Sequence, residues 1–395
     1  MSAADLLATP ARARDRPGPL PPNSTIGIVG GGQLGRMSAL AAARLGYRCC
    51  ILTPEADSPA AQVSAGVTLG DYEDEATLRA FADAVDVITF EFENVSAAGL
   101  DLLASRKPVR PSPAVLRISQ DRVEEKSFVN AAGVPTAPWR PVSSVAELDA
   151  AIAALGLPAV LKTTRLGYDG KGQAVLRNPG DASTAWEALD PKPLILEGFV
   201  DFTCELSVVV ARGADGTFAG FDVVENRHRD GILDLTLAPA QIAPETAASA
   251  QAIASRLAHG MELVGLMAVE MFVAPDGRVL VNEIAPRPHN SGHWTIDACP
   301  ASQFEMHVRA VAGLPLPRAT RHSDAVMKNL VGPEEAALWP AVLATPGLIP
   351  HLYGKAEARP GRKMGHATRL FPRGALPGAF GVAASLGPLA TPGWQ

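Results

Sequence analysis

Two glutamates in the second half of the chain are spaced so that they could share a divalent cation. The stretch AVEMFVAPDGRVLVNEIA has two apolar runs around Asp276-Gly277, a pair typical of two-residue hairpin turns. That turn would place Glu270 opposite Glu283, and Phe272 opposite Val281. Carboxylates opposed on a covered sheet repel each other, and Mg²⁺, or Mn²⁺, bound between them would remove the repulsion. The alternative is a longer turn that leaves one glutamate solvated at a sheet edge.

A glycine-rich turn near the start of the chain could bind an anion. GGGQLG at 30–35 follows a short apolar run, precedes a helical pattern and satisfies G-x-G-x-x-G. With Glu55 about 20 residues further on, the pattern is typical of dinucleotide sites, so an NAD-dependent oxidoreductase is one hypothesis. Its physical content is only that backbone N–H groups and a helix N-terminus can approach an anion. A glycine turn without any ligand is the alternative.

A second glycine-rich loop, KTTRLGYDGKGQ at 162–173, follows an apolar strand pattern. Its backbone amides, together with the ammonium groups of Lys162 and Lys171, could bind a polyphosphate. It lacks the P-loop pattern, and a mobile surface loop is the alternative. Downstream, ILEGFVDFTCELSV places Glu197 and Glu205 where they could bind an adenine edge and a ribose, although glutamates at strand ends are usually only solvated.

Basic residues form two further groups. APRPHNSGHWT brings Arg287, His289 and His293 together directly after Glu283. Arginine binds carboxylates, phosphates or bicarbonate through two parallel hydrogen bonds, and histidine can transfer protons near neutral pH. The second group is a distant one, and it could equally be a solvated face: Lys355, Arg359, Arg362, Lys363 and His366.

The elements that would position these residues alternate between strand and helix from Thr25 onward. That alternation predicts a parallel sheet with covered faces. Helices are predicted over 33–45, 73–84, 120–132, 145–155 and 247–263. Strands are predicted at IGIVG, RCCIL, VDVITFEFE, PAVLKT, PLILEGFV, CELSVVVAR and FAGFDVVEN, and in the hairpin. After Pro315 the chain is predicted to be irregular, and its last twenty or so residues to form a weakly ordered tail.

Composition excludes several classes of protein. The 395 residues carry a net charge of −6, with 35 basic and 41 acidic side chains, which argues against a nucleic-acid-binding surface. No apolar run approaches the roughly 20 residues of a membrane span. Cys49, Cys50, Cys204 and Cys299 form no C-x-x-C pair, and buried free thiols suit a cytoplasmic location. Residues 1–24 lack a secretory apolar stretch and are predicted to be a disordered extension.

Taken together, the motifs resemble the ATP-grasp superfamily and, within it, the N5-carboxyaminoimidazole ribonucleotide synthetases of purine biosynthesis. The motifs are GGGQLGRM, TFEFENV, GYDGKGQ, ENRHRDGIL, NEIAPRPHNSGHWT and GRKMGHA. They cover about residues 25–370. The resemblance implies an α/β (α+β overall) ATP-grasp fold with an N-terminal Rossmann-like domain and a small C-terminal β-rich segment. The implied units are the extension 1–24, the Rossmann-like domain 25–120, the lid domain 121–204, the C-terminal ATP-grasp domain 205–372 and the tail 373–395.

The resemblance also implies an activity. ATP, bicarbonate and 5-aminoimidazole ribonucleotide would give ADP, phosphate and N5-carboxyaminoimidazole ribonucleotide, through carboxyphosphate, in a cytoplasmic homodimer that binds neither nucleic acid nor membrane. In this family the first glycine turn binds no dinucleotide and forms the substrate side of the cleft. The nearest rival is a formate-dependent glycinamide ribonucleotide transformylase, and a catalytically dead scaffold is another.

Residue roles follow from the same resemblance. ATP would be bound by Arg122, Lys162, Gly167, Tyr168, Asp169, Gly170, Lys171, Gly172, Gln173, Glu197, Gly198, Phe199, Val200, Glu205, His228, Asn282 and Glu283. The metal would be bound by Glu270 and Glu283. Tyr168, Asp169, Arg287 and His289 would lie near bicarbonate and the amine. The ribonucleotide would contact Gln33, Glu91, Asn290, Lys355 and Arg362. One departure is Ala285, where many ATP-grasp enzymes have an asparagine that adds a metal ligand.

Overall fold

The structure, a computed structural model, describes residues 18–167, 171–190 and 193–390. The predictions for Tyr168, Asp169 and Gly170 therefore lie outside the described residues. The helices are α1 (Gln33–Arg44), α2 (Glu75–Asp83), α3 (Ala97–Arg106), α4 (Pro113–Gln120), α5 (Arg122–Ala131), α6 (Val145–Leu155), α7 (Asp181–Ala188), α8 (Pro244–Gly260), α9 (Thr295–Ala298), α10 (Gln303–Ala312), α11 (Gly332–Ala336), α12 (Trp339–Ala344) and α13 (Ala379–Ser385). Single 3₁₀ turns occur at Ala61–Val63, Asn290–Gly292 and Gly387–Leu389.

The strands fall into three sheets. They are β1 (Thr25–Val29), β2 (Arg48–Thr53), β3 (Gly66–Leu69), β4 (Val87–Phe90), β5 (Trp139–Val142), β6 (Ala159–Thr163), β7 (Gln173–Leu176), β8 (Leu194–Gly198), β9 (Cys204–Arg212), β10 (Phe218–Gly220), β11 (Val224–Arg229), β12 (Ile232–Ala238), β13 (Gly265–Val273), β14 (Val279–Ala285), β15 (Ser323–Val331), β16 (Leu348–Leu352) and β17 (Lys363–Pro372).

The N-terminal sheet has the order β3-β2-β1-β4 and is parallel throughout, which confirms the predicted Rossmann-like arrangement. Val29 pairs with Phe90, so the glycine turn after β1 and the residues after β4 leave the same edge side by side. The predicted helix over 120–132 is present as α5, which begins at Arg122, and a separate helix, α4, ends just before it at Gln120. The break lies at Asp121, whose side chain caps α5 by accepting hydrogen bonds from the N–H groups of Val123 and Glu124.

The middle sheet is antiparallel, in the order β5-β8-β6-β7, and packs against α6 and α7 around a small apolar core. Lys162 lies near the end of β6 and pairs with Gln173, the first residue of β7. The glycine-rich loop therefore connects two adjacent strands. Both of its ends are anchored to one edge of this sheet.

The third sheet has nine strands, ordered β14-β13-β9-β11-β12-β15-β17-β16 with β10 beside β9. The prediction of an irregular chain after Pro315 is wrong, because β15, β16 and β17 belong to this sheet. The sequence pattern did not predict strand β15 because this strand buries a cation. The ammonium of Lys328 lies 2.6 Å from Asp234 and 2.9 Å from Glu335. Asp234 lies 94 positions away in the sequence, and the buried lysine interrupts the simple apolar alternation that would indicate a strand.

The two ends of the described chain are more ordered than the sequence suggested. The predicted tail contains α13 and a 3₁₀ turn, with Val382, Leu386 and Leu389 buried against the large sheet. Within the predicted extension, the N–H of Leu20 donates to the carbonyl of Ala312 at 2.9 Å. Both expectations are therefore wrong for these described segments.

Helix α10 holds the N-terminal sheet and the large sheet together. Its Val308 and Val311 pack into the core of the N-terminal sheet, whereas Met306 packs against the large sheet. A buried hydrogen bond of 3.0 Å joins His307 to Thr89 of β4. This helix therefore packs against both sheets at once. Among the described residues, none of the helices combines the length and the apolar character that crossing a bilayer requires.

Candidate active site

A cleft of about 840 Å³ lies where the three sheets meet. It brings together most of the predicted site residues: Gln33, Glu91, Arg122, Lys162, Gly167, Lys171, Gln173, Glu205, His228, Glu270, Asn282, Glu283, Arg287, His289, Asn290, Lys355 and Arg362. Five predicted residues do not line it, namely Gly172, Glu197, Gly198, Phe199 and Val200. Positions 168–170 lie outside the described residues.

The hairpin of β13 and β14 places Glu270 opposite Glu283, as predicted. The predicted two-residue turn is wrong: the N–H of Ala274 donates to the carbonyl of Arg278, which leaves a three-residue loop with Gly277 at φ +84°. Phe272 consequently faces Leu280 rather than Val281. A bulge at Asn282 then adds one residue to β14 and restores the predicted pairing at the glutamates.

The opposed carboxylates are electrostatically strained in the absence of a cation. Burial, followed by the neighbouring Glu283, raises the pKa of Glu270 to about 7. Glu125 of α5, which accepts a 2.5 Å hydrogen bond from the N–H of Ile284, has its pKa raised to about 8 for the same two reasons. Three carboxylates thus converge on one partly buried region, where a divalent cation would stabilise their ionised forms.

Arg122 connects this acidic region to the glycine-rich loop. It is the first residue of α5, and its Nη1 lies 3.3 Å from Glu283. Its Nη2 donates to the carbonyl of Gly167 at 3.4 Å. Although burial opposes it, the surrounding glutamates raise the pKa of Arg122, so the guanidinium is a fixed positive charge beside the loop.

Lys162 belongs to a buried ion cluster beneath the cleft. Its Nζ lies 3.0 Å from Glu197, whose same carboxylate oxygen lies 3.3 Å from Lys126 of α5. Against the effect of burial, Lys162 and Lys126 lower the pKa of Glu197 to about 2. The side chain predicted to hold adenine is therefore the counter-ion of two lysines, and it is only about 5% exposed.

The first glycine turn binds an anion, and this anion is a carboxylate side chain of the same protein. The carboxylate of Glu91 accepts hydrogen bonds from the N–H of Gly32 and, at 2.7 Å, from the N–H of Gly35. These are the amides at the N-terminus of α1 to which a dinucleotide would present its pyrophosphate. Because Glu91 already occupies that position, the dinucleotide interpretation loses its physical basis.

The segment after β14 places a histidine beside the carboxylate pair. The Nε2 of His289 lies 3.2 Å from Glu270, and the Nε of Arg287 lies 2.7 Å from Glu93. Asn290 lines the cleft and exchanges hydrogen bonds with Asn329 of β15. Burial and nearby cations lower the pKa of His289 well below its usual value, so the ring is neutral.

Two further groups of predicted site residues come from different parts of the large sheet: Glu205 and His228 lie on the adjacent strands β9 and β11, whereas Lys355 and Arg362 lie in the loop between β16 and β17. Glu205 of β9 and His228 of β11 are in short hydrogen-bond contact, and this contact raises the pKa of His228 although burial lowers it. The ammonium of Lys355 donates to the carbonyl of Lys363 at 2.6 Å. Arg362 donates to the carbonyl of Glu357 at 3.0 Å. Both cations line the cleft, and Lys355 is close enough to Glu91 to favour its ionised form.

Sequence reasoning missed Glu93 and Glu125, which line the cleft and contact Arg287 and Ile284. A signal for Glu125 was present, because it follows Arg122 by three residues and so lies on the same face of a helix. Glu93 gave no local signal: it is one of three carboxylates in a short stretch, and its partner is 194 positions away.

Comparison with known proteins agrees with this geometry. Three family models match in succession: a ribonucleotide synthetase preATP-grasp domain over residues 23–120, an ATP-grasp domain over 127–304, and a phosphoribosylaminoimidazole carboxylase C-terminal domain over 325–374. The N5-carboxyaminoimidazole ribonucleotide synthase of Brucella melitensis is 52% identical over 356 residues, which are 90% of this chain and 98% of that protein. The chain belongs to the N5-carboxyaminoimidazole ribonucleotide synthase family.

Other members of the family are also similar over nearly their whole length. The synthase of Bacillus subtilis is 42% identical across 88% of this chain and 91% of its own. The crystal structure of the Aspergillus clavatus enzyme with ADP and 5-aminoimidazole ribonucleotide has a TM-score of 0.86 at 32% identity, covering 93% of this chain and 97% of that one. The predicted ATP-grasp fold and the predicted class of ATP-dependent ligase are confirmed.

Proposed function

We propose that this cleft carboxylates 5-aminoimidazole ribonucleotide with bicarbonate, consuming ATP and releasing ADP and phosphate. The observation that carries the proposal is the convergence of a phosphate-binding loop anchor (Lys162), two opposed carboxylates (Glu270 and Glu283) and a basic end (Lys355 and Arg362) in one cleft. Family members are named for this product, and the Aspergillus clavatus enzyme was crystallised with ADP and the aminoimidazole substrate.

Two steps account for the chemistry. An oxygen of bicarbonate attacks the γ-phosphorus of ATP, the bond to ADP breaks, and carboxyphosphate forms. The amine nitrogen of the ribonucleotide then attacks the carboxyl carbon, or CO2 released from it, while phosphate departs and the nitrogen loses a proton. Arg122 and Lys162 would neutralise phosphate charge, and the walls of the cleft would shield the reactive intermediate from water.

We assign the metal-binding position to Glu270 and Glu283. The raised pKa of Glu270 is the structural reason: the pair is unfavourable alone and fits a small, hard cation such as Mg²⁺, or Mn²⁺. When bound, such an ion supplies Lewis-acid neutralisation of the transferring phosphoryl group. Ala285 is buried and paired with Ala268, so it adds no ligand, and phosphate oxygens and water would complete the coordination.

The remaining roles are proposals on the same basis. Glu205, His228 and Asn282 would contact the nucleotide; Arg287, His289, Tyr168 and Asp169 would lie near bicarbonate and the amine; Gln33, Glu91 and Asn290 would border the ribonucleotide. Glu91 can do so only by the side of its carboxylate left open by Gly32 and Gly35. A homodimer and a cytoplasmic location belong to the same proposal.

Phosphate release from ATP tests the activity directly. We expect turnover to require both bicarbonate and 5-aminoimidazole ribonucleotide, because the first activates ATP cleavage and the second removes the intermediate. Phosphate is measured with each substrate omitted in turn. Formate with glycinamide ribonucleotide is the matched control, and equal turnover with that pair would assign the chain to the rival transformylase activity.

Substituting the basic end tests the ribonucleotide assignment. Lys355→Ala and Arg362→Ala should each raise the KM for the ribonucleotide at least tenfold, because a phosphate dianion loses one charge-assisted hydrogen-bond partner. The KM for ATP should change little. Arg278→Ala is the control, since Arg278 is exposed and pairs with Asp276 outside the cleft. A selective loss of ATP affinity would move this segment to the nucleotide.

A further inference from the structure

A chain of buried side-chain hydrogen bonds leads from the interior of the large sheet to His289. The hydroxyl of Thr236 contacts the amide oxygen of Asn226 at 3.1 Å, and the amide nitrogen of Asn226 contacts the hydroxyl of Ser207 at 2.9 Å. Ser207 lies 2.7 Å from the hydroxyl of Ser291, which lies 2.8 Å from the Nδ1 of His289. Four of these five residues, all except His289, are at most 3% exposed.

The direction of the chain is fixed at its histidine end. The backbone N–H of Ser291 points at the Nδ1 of His289 at 3.3 Å, because His289 caps the 3₁₀ turn Asn290–Gly292. A backbone N–H can only donate, so this contact favours an Nδ1 that accepts and carries no proton. The hydroxyl of Ser291 must then also donate to Nδ1.

Each further step follows from counting hydrogens. A hydroxyl has one proton, so Ser291, having donated to His289, accepts from Ser207. Ser207 then accepts from the amide nitrogen of Asn226, and the amide oxygen of Asn226 accepts from Thr236. Because the backbone N–H of Ser291 donates to Nδ1, all of these hydrogen bonds form together with only this one assignment of donors and acceptors. A neutral His289 therefore has its proton on Nε2, which is the atom that faces Glu270 at 3.2 Å.

We propose that Asn226, Ser207 and Ser291 are positioning residues for the proposed carboxylation, and that they hold His289 as its Nε2–H tautomer. His289 then presents a hydrogen-bond donor to Glu270 and to anions in the cleft, and cannot accept the proton of the substrate amine at Nε2. The proton must leave through another group. This inference rests on the proposed function for its catalytic meaning, whereas the tautomer itself is independent of turnover.

Gln303 holds the backbone of the same histidine. Its side-chain oxygen accepts from the N–H of His289 at 2.9 Å, and its side-chain nitrogen donates to the carbonyl of His289 at 2.7 Å. The ring can therefore respond to a change in its hydrogen-bond partner without a shift of the backbone. Substitutions of Asn226, Ser207 or Ser291 should therefore change the tautomer of His289 rather than the position of its backbone.

The test uses the full chain labelled with ¹⁵N-histidine, with the eight histidines assigned by comparison with a His289→Gln sample. In the unsubstituted protein, Nδ1 of His289 should show the shift of an unprotonated ring nitrogen and Nε2 that of a protonated one. Ser291→Ala removes the 2.8 Å hydroxyl contact and leaves Nδ1 with only the 3.3 Å contact from the backbone N–H, and in Asn226→Asp the carboxylate cannot donate to Ser207, so the Nδ1–H form should gain population in both variants. The kcat should fall about tenfold or more, with the KM for ATP nearly unchanged.

Thr368→Val is the matched control, because Thr368 is a fully buried threonine of the same sheet whose hydroxyl has no hydrogen-bond partner among the described residues. It should leave the tautomer and kcat unchanged. If Asn226→Asp fails to fold, Ser291→Ala decides the question alone. A proton on Nδ1 in the unsubstituted protein, or an unchanged tautomer in Ser291→Ala, would overturn the inference. Absence of turnover in the unsubstituted protein would instead overturn the proposed function, and the NMR result would stand apart from it.

Discussion

Glu270→Gln and Glu283→Gln should each lower Mg²⁺-dependent ATP turnover at least a hundredfold. Glutamine keeps the shape of the side chain but removes the charge, so the proposed metal position loses an anionic ligand and the γ-phosphoryl group loses neutralisation of several kcal/mol. Phosphate release at saturating ATP and bicarbonate is the measurement. Glu187→Gln, an exposed glutamate at the end of α7, is the control and should keep full activity.

Stability in EDTA should change in the opposite direction for Glu270→Gln. The pKa of Glu270 is raised from 4.5 to about 7, so the folded protein disfavours the carboxylate relative to the unfolded chain. This penalty is absent below pH 4.5, grows as the pH rises through 7, and reaches at most about 3 kcal/mol above it. The variant should therefore unfold at a higher temperature than the unsubstituted protein at pH 8 and match it near pH 4.

Glu283→Gln separates the two effects, because Glu283 also pairs with Arg122 at 3.3 Å. It should gain less stability in EDTA than Glu270→Gln, since a buried guanidinium loses its partner. Near-normal turnover in both variants would remove the metal assignment. A marked loss of stability in EDTA for Glu270→Gln would show that its carboxylate has a structural role in the apo protein.

The hairpin of β13 and β14 shows how much of a structure local sequence patterns can predict. The opposition of Glu270 and Glu283 was predictable from turn residues and alternation, and it is present. The geometry between them was predicted incorrectly. The loop has three residues, Pro275 to Gly277, rather than two, and the bulge at Asn282 restores the register. Two deviations of one residue cancel, so the right pairing arises from a turn that was predicted incorrectly.

What the sequence could not provide was the identity of distant partners. The glycine turn signalled an anion correctly, but Glu91, 56 residues from Gly35, is the anion it binds. Strand β15 was hidden because Lys328 is paired with Asp234, 94 residues away. The parallel N-terminal sheet was predictable, since each of its strands and helices shows its own period. Features that depend on one local period were recovered, and features that depend on charge pairing across sheets were not.

Glu197 is the residue for which the resemblance and the structure give different expectations. The resemblance places it at the adenine, whereas the structure makes it the counter-ion of Lys126 and Lys162. Burial lowers the pKa of Lys162 even though Glu197 opposes the effect, so removing this carboxylate would leave two ammonium groups poorly compensated. We expect Glu197→Gln to lower the free energy of unfolding by about 3–5 kcal/mol at pH 7.

The pH dependence of that loss identifies its cause. The pKa of Glu197 is lowered from 4.5 to about 2, so its stabilisation is complete above pH 4.5 and disappears as the pH falls towards 2. Urea unfolding of the variant and the unsubstituted protein should therefore converge over that range. Glu75→Gln, which breaks an exposed pair with Arg79 on α2, should cost under about 0.5 kcal/mol throughout. If Glu197→Gln instead cost under about 1 kcal/mol and weakened ATP binding alone, the carboxylate would be acting on the nucleotide, and the lysines beneath it would need no counter-ion to remain charged.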